Sequence, residues 1–151
     1  MSVYALFIFM QLKVSNCKFI TLKKHCEGDR GQLLALEGLK DVPFEIKRFY
    51  AIVNVTNNVT RGRHAHIRLE QVAFCLSGSC RFLLDDGRNR GSIKLNASEI
   101  GLYMGKLIWH EMFDFSQDCV LTVLASEPYD ADDYVRDYKE FLKIVQYGSI
   151  L

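Results

Sequence analysis

Between residues 18 and 126 the chain is cut into short runs rich in β-branched and aromatic residues, each closed by turn-forming residues. Runs at residues 18–22, 32–37, 45–55, 61–76, 80–84, 92–95, 106–113 and 120–124 recur about every ten residues, the spacing of an all-β sandwich or barrel. Gly28-Asp29-Arg30-Gly31, Ser77-Gly78-Ser79 and Asp85-Asp86-Gly87 supply turns between them. Only the tail changes period. Tyr134, Val135, Tyr138, Phe141, Leu142 and Val145 fall at helical spacing, behind Asp130, Asp132 and Asp133, whose charge suits a helix N-terminus. The expected fold is all-β, with one helix packed on the outside of the sheets.

The 151 residues form one domain, since no repeat of twenty to fifty residues and no Pro-, Gly- or Ser-rich linker divides them. A net charge of +1 gives no argument for nucleic acid or a membrane surface as partner. Local charge is more informative: Arg61, Arg63, Arg68, Arg81, Arg88 and Arg90 cluster in one stretch, and Arg suits paired hydrogen bonds to phosphate. An anionic small molecule is the expected ligand. Cys17, Cys26, Cys75, Cys80 and Cys119 show no metal-knuckle spacing, and the odd count leaves one unpaired, which fits a reduced cytoplasmic protein. The apolar run from Val3 to Met10 is too short to span a bilayer and lacks a basic start. It reads as an extra strand or as upstream sequence ahead of a start at Met10, so residues 1–9 are expected to be non-native or disordered.

One stretch carries chemistry. In Arg61-Gly62-Arg63-His64-Ala65-His66-Ile67-Arg68-Leu69-Glu70, an extended strand would point His64, His66, Arg68 and Glu70 to one face. In residues 45–55, Ile46, Arg48, Tyr50 and Ile52 share a second inward face, while Phe49, Ala51 and Val53 make the outer face apolar too. That two-sided pattern fits a barrel wall packed against another subunit. His64-x-His66-x-x-x-Glu70 followed by His110 is the order in which cupin barrels supply three His and a Glu to a divalent metal. Ser77 and Met104-Gly105-Lys106 depart from the glycines and proline that usually frame those ligands. The same residues serve metal-free chemistry: His64 or His66 removes a proton beside a ketone, and Arg61 or Tyr50 stabilises the enolate. Spacing alone leaves both schemes open.

The chain resembles the nucleotide-sugar 3,4-ketoisomerases, cupin enzymes acting on dTDP-4-keto-6-deoxy-glucose. The resemblance rests on Gly28-Asp29-Arg30-Gly31, Pro43-Phe44-x-Ile46-Lys47-Arg48-x-Tyr50, Arg61-Gly62-x-His64-Ala65-His66, Leu69-Glu70-Gln71, Gly78-Ser79-Cys80-Arg81, Gly101-Leu102-Tyr103, Trp109-His110-Glu111-Met112 and Asp133-Tyr134. It implies a double-stranded β-helix jelly roll with a C-terminal helix, no metal and no cofactor, and a homodimer with exchanged N-terminal strands. It gives His64 and His66 the acid–base roles, with Tyr50 and Arg61 contacting the enediol. Arg30, Gly31, Arg48, Glu70, Gln71, Arg81, Trp109 and His110 are the substrate-binding positions it implies, and Arg30-Gly31 looks like the branch that gives a galacto product.

Overall fold

The computed structural model describes residues 12–56 and 58–148; the apolar run expected before Met10 lies outside them. Among the described residues twelve strands, β1 (Cys17–Thr21), β2 (Lys24–Cys26), β3 (Gln32–Leu34), β4 (Arg48–Val53), β5 (Arg61–His66), β6 (Gln71–Ser77), β7 (Cys80–Asp85), β8 (Arg90–Leu95), β9 (Ile100–Met104), β10 (Trp109–Phe113), β11 (Val120–Ala125) and β12 (Tyr134–Val135), precede helix α1 (Tyr138–Tyr147). Two antiparallel five-stranded sheets, β1-β9-β6-β11-β4 and β12-β5-β10-β7-β8, face each other, while β2 and β3 form a separate hairpin. This is the cupin jelly roll that the run spacing and motifs imply.

Alternation within strands decides which side chains fill the space between the sheets. Phe82, Leu84, Leu102, Met104, Leu121 and Val123 meet there and are buried. Residues 34–46 fold over the outside of the first sheet, where Leu22, Val42 and Phe44 pack on Val72, Phe74 and Tyr103. Helix α1 covers the second sheet: Phe141 is fully buried against Ala65, Trp109 and Val135. The Asp137 carboxylate caps this helix by accepting from the Glu140 backbone N–H at 2.8 Å.

Three expectations need correction. The run at residues 61–76 is two strands in different sheets, broken by a bend after His66, so Glu70 does not continue the His face. There the chain crosses from one sheet to the other, stitched by the Ile67 N–H to the Asp133 carbonyl at 3.0 Å and by the Asp133 carboxylate. Tyr134 and Val135 are not helical: they pair with His66 and Ala65 as β12, and the helix begins at Tyr138. Strands at Lys24–Cys26 and Ile100–Met104 were not expected, the first because of its charge and the second because Gly101 breaks its apolar run. Gly101 is required by packing, since a Cβ there would lie 2.4 Å from the Phe74 ring.

Candidate active site

Strands β4 and β5 turn Arg48, Tyr50, Arg61 and His64 toward a cavity of about 330 Å³, joined by Ile52, Gly62, Met112, Tyr129 and Tyr134. On β4 the inward parity of three residues is as read from the sequence: Arg48 and Tyr50 are half-buried and Ile52 is buried, while Phe49 projects outward and is 62% exposed; Ile46 instead lies ahead of the strand and packs with Phe44 and Val72 on the outside of the sheet. Burial pushes the Tyr50 phenol up to about 12, so it stays a proton donor at neutral pH. The Arg48 Nε is buried with no hydrogen-bond partner, and its guanidinium lies 5.3 Å from the Tyr50 ring and 5.7 Å from that of Tyr129. An unmatched buried donor on a cation is costly unless an anion completes it.

The imidazole pair is placed by a β-bulge. Against β10, His110 opposes His64 and Glu111 opposes Gly62, so Arg63 is the extra residue, with φ of +58°. Gly62 has φ of +82°, and a Cβ on it would sit 2.7 Å from the His110 carbonyl oxygen. Only glycine tolerates both conditions. Gly62→Ala is expected to cost about 1–3 kcal/mol of stability and to lower turnover by misdirecting His64; thermal melts and initial rates on the folded variant check both.

His64 Nε2 stands 3.2 Å from His66 Nε2, and the two rings meet edge to face. Behind them, the His66 Nδ1–H donates to the Asp133 carboxylate at 3.1 Å, which leaves Nε2 as the basic nitrogen. Asp133 is itself buried and fixed, since its carboxylate also accepts from the Arg68 and Leu69 backbone N–H groups at 2.8 and 3.2 Å. The arrangement is a file of three groups, carboxylate, buried imidazole and cavity-facing imidazole.

A second file runs alongside. Tyr50 O–H donates to Gln71 Oε1 at 3.2 Å, Gln71 Nε2 donates to His110 Nε2 at 3.3 Å, and His110 Nδ1–H donates to the Ile108 carbonyl at 3.1 Å. Burial drives His110 down to about 3, with the neighbouring His64 adding to the effect. Burial also lowers His64, and takes His66 down to about 3, helped by His64, Arg48 and Arg136; the Asp133 carboxylate opposes that drop. A histidine held neutral in the fold but free to protonate when unfolded contributes stability that is complete above its ordinary value of 6.5 and is lost as the pH falls toward about 3. For His110 alone the loss at pH 5.5 is about 1.4 kcal/mol relative to high pH. Urea melts at pH 7.5 and 5.5 are expected to show it, with a smaller difference in His110→Gln.

Several sequence-expected positions lie elsewhere. The Glu70 carboxylate accepts from Tyr103 O–H on the other sheet, because the bend after His66 reverses its side. Arg81 points to solvent and pairs with Asp114 at 3.4 Å. Trp109, next to His110 and therefore on the opposite face of β10, packs against Tyr138 and Phe141 and donates to Glu111 at 3.1 Å. Arg30 and Gly31 sit on the exposed β2–β3 hairpin, where Arg30 pairs with Glu27 at 3.4 Å, and they do not reach the cavity of their own chain. Arg68 leaves the His face to pair with Asp130 and Asp133. Conversely, Asp133, Tyr134 and Tyr129 belong to the site although the tail read as a helix. For a metal, His64, His66 and His110 offer nitrogens within 4.8 Å of one another, but the Glu of the four-ligand set is turned away. The one lone pair of His110, on Nε2, already accepts from Gln71.

Fold and site together define a cupin barrel whose mouth gathers Tyr50, His64 and the guanidinium groups of Arg48 and Arg61. Residues 15–146 match the family described as "FdtA: WxcM-like, C-terminal", and the chain belongs to that family. A TDP-4-oxo-6-deoxy-α-D-glucose-3,4-oxoisomerase of Aneurinibacillus thermoaerophilus is 50% identical over 128 residues, 85% of this chain and 91% of that protein. The WlaRB TDP-quinovose 3,4-ketoisomerase of Campylobacter jejuni superposes with a TM-score of 0.83 at 51% identity, over 86% of this chain and 99% of its own. A His-to-Asn variant of the 3,4-ketoisomerase QdtA from Thermoanaerobacterium thermosaccharolyticum, in complex with TDP-4-keto-6-deoxyglucose, superposes at 0.86 with 42% identity, over 89% and 96%.

Proposed function

We propose that this chain is a TDP-sugar 3,4-ketoisomerase that converts TDP-4-keto-6-deoxyglucose into a 3-keto-6-deoxyhexose by proton transfer through an enediol. The observation that carries this reading is the Asp133–His66–His64 file ending in a cavity that also presents Arg48, Tyr50 and Arg61. His64 takes the proton from C3 and hands it inward to His66 while Tyr50 protonates the C4 oxygen to give the enediol; the Tyr50 phenolate then takes the O3 proton, leaving the ketone at C3, and the proton held by the imidazoles returns to C4, so every group ends as it began. Arg61 stands against the developing enediolate, and the unpartnered Arg48 Nε is matched to the anionic end of the substrate. The reaction needs no metal in this scheme, since every step is a proton transfer between groups already in place.

A homodimer with exchanged N-terminal strands is part of the same proposal. Strand β4 is a sheet edge whose outer face exposes Phe49 and Val53, and the β2–β3 hairpin exposes Leu33. Arg30-Gly31, remote from its own cavity, then serves the partner's site and sets the galacto configuration at C4, on the route to a 3-amino-3,6-dideoxyhexose for surface polysaccharide. The cytoplasmic setting is supported by five free thiols; among the described residues no helix is long and apolar enough to cross a membrane.

Incubation with TDP-4-keto-6-deoxyglucose, followed by NMR, is expected to show the carbonyl at C3 with galacto configuration at C4, with activity intact after chelation and less than about a tenth of an equivalent of transition metal. Inversion at C3 and C5, activity that is lost with the metal, or tight binding without turnover would each overturn the reading. WlaRB is named for TDP-quinovose, so a gluco product would overturn the Arg30 assignment alone.

A further inference from the structure

Three of the five cysteines, spread over 45 residues with no metal-binding spacing, converge in the barrel core. Cys75 of β6, Cys80 of β7 and Cys119, just before β11, are all buried, and their sulfurs lie within 4.8 Å of one another. The Cys75 and Cys80 sulfurs are 3.6 Å apart and those of Cys75 and Cys119 are 4.0 Å apart. A soft ion held about 2.3 Å from each of three sulfurs in a plane requires S···S separations of about 4.0 Å; the Cys75–Cys119 edge has that length, and the Cys75–Cys80 edge needs to open by a few tenths of an ångström.

The surroundings choose the ion. No His, Asp or Glu joins the three sulfurs among the described residues. Tetrahedral zinc needs a fourth donor, which apolar walls of Phe82, Leu95, Phe115 and Leu121 do not provide. An apolar site also favours the least net charge, which a monovalent ion does not achieve with three thiolates but does approach with fewer deprotonated sulfurs. Cys119 is 5% exposed and adjoins Asp118, whose carboxylate accepts from Ser77 at 3.4 Å.

We propose that Cys75, Cys80 and Cys119 form a trithiol site for a soft monovalent metal ion of the copper(I) or silver(I) class, separate from the imidazole cavity. Binding replaces S–H protons with metal–sulfur bonds and releases those protons to solvent, with no change of oxidation state. The folded barrel gathers three thiols that the unfolded chain keeps apart, so it binds the ion more tightly and is stabilised by mass action.

The test titrates the reduced full chain with copper(I) without oxygen, against a competing copper(I) chelator, and reads the ligands by X-ray absorption. One retained equivalent with three sulfur neighbours is expected, with a rise in thermal midpoint. Cys80→Ser is expected to lose retention and Cys26→Ser, on the exposed hairpin, to keep it. Alkylation of the unmutated protein in enough urea to open the barrel transiently, where burial alone no longer shields the thiols, supplies a readout that no folding defect can confuse: copper(I) protects Cys75, Cys80 and Cys119 and leaves Cys26 reactive. Loss of all copper to the chelator, nitrogen neighbours from the imidazoles, or equal alkylation with and without the ion would overturn the proposal.

Discussion

His64→Asn is expected to cut turnover of TDP-4-keto-6-deoxyglucose by about 10²–10⁴-fold, the range for removing a positioned acid–base group. The imidazole faces the cavity, while His66 lies behind it at 4% exposure, so His64 is the group within reach of the sugar. Asn keeps a polar side chain of similar size but has no nitrogen that titrates, so binding should persist while solvent deuterium no longer enters the sugar. His66→Asn is expected to cost a similar factor, because His64 then has no inward acceptor at 3.2 Å. The double variant should be hardly worse than either single one, as expected of residues that act as a unit. NMR of the substrate in deuterium oxide measures the exchange directly; exchange persisting in the double variant would remove the mechanism.

What was legible in the sequence was whatever depends on local pattern. The period-two alternation of Arg48, Tyr50 and Ile52 against Phe49 and Val53 predicted both faces of β4, and the His64-Ala65-His66 spacing put both imidazoles on one side. Patterns fail where the chain changes sheet. Glu70 is six residues from His64 and would share its face in a continuous strand, but the bend at residues 67–68 resets the alternation. Trp109 shows the converse, because one step along β10 separates the cavity side from the side covered by Phe141. Periodicity misplaced Asp133 and Tyr134 through a coincidence: a two-residue strand ahead of a helix keeps enough apolar positions to mimic one more helical turn. Nor does spacing reveal the three thiols, since their meeting depends on β6, β7 and β11 being brought together by the barrel.

Asp133→Asn follows from the geometry alone and is expected to have the second large effect. Its two oxygens face only donors: Arg68 N–H on one, His66 Nδ1–H and Leu69 N–H on the other. An amide puts an NH₂ against one of those sets. Turned toward Arg68, it opposes that backbone N–H at 2.8 Å; turned toward His66, it opposes the Leu69 N–H and demands that Nδ1 give up its proton, which moves the proton to Nε2 and removes the basic nitrogen that His64 requires. The first orientation costs about 1–3 kcal/mol for an unsatisfied buried donor, and the second costs catalysis. A carboxylate is therefore needed both to tie the crossing at residues 67–69 and to fix the tautomer of His66. Stability and turnover should fall together, but a purely structural role would leave the pH profile of the folded fraction unchanged. Without the anion the His66 imidazolium loses its stabilising partner, so the acid limb of kcat/KM is expected to move to lower pH while its maximum drops by about 10²-fold or more. An unshifted limb with full turnover per folded molecule would make Asp133 a tie between strands and no part of the proton path.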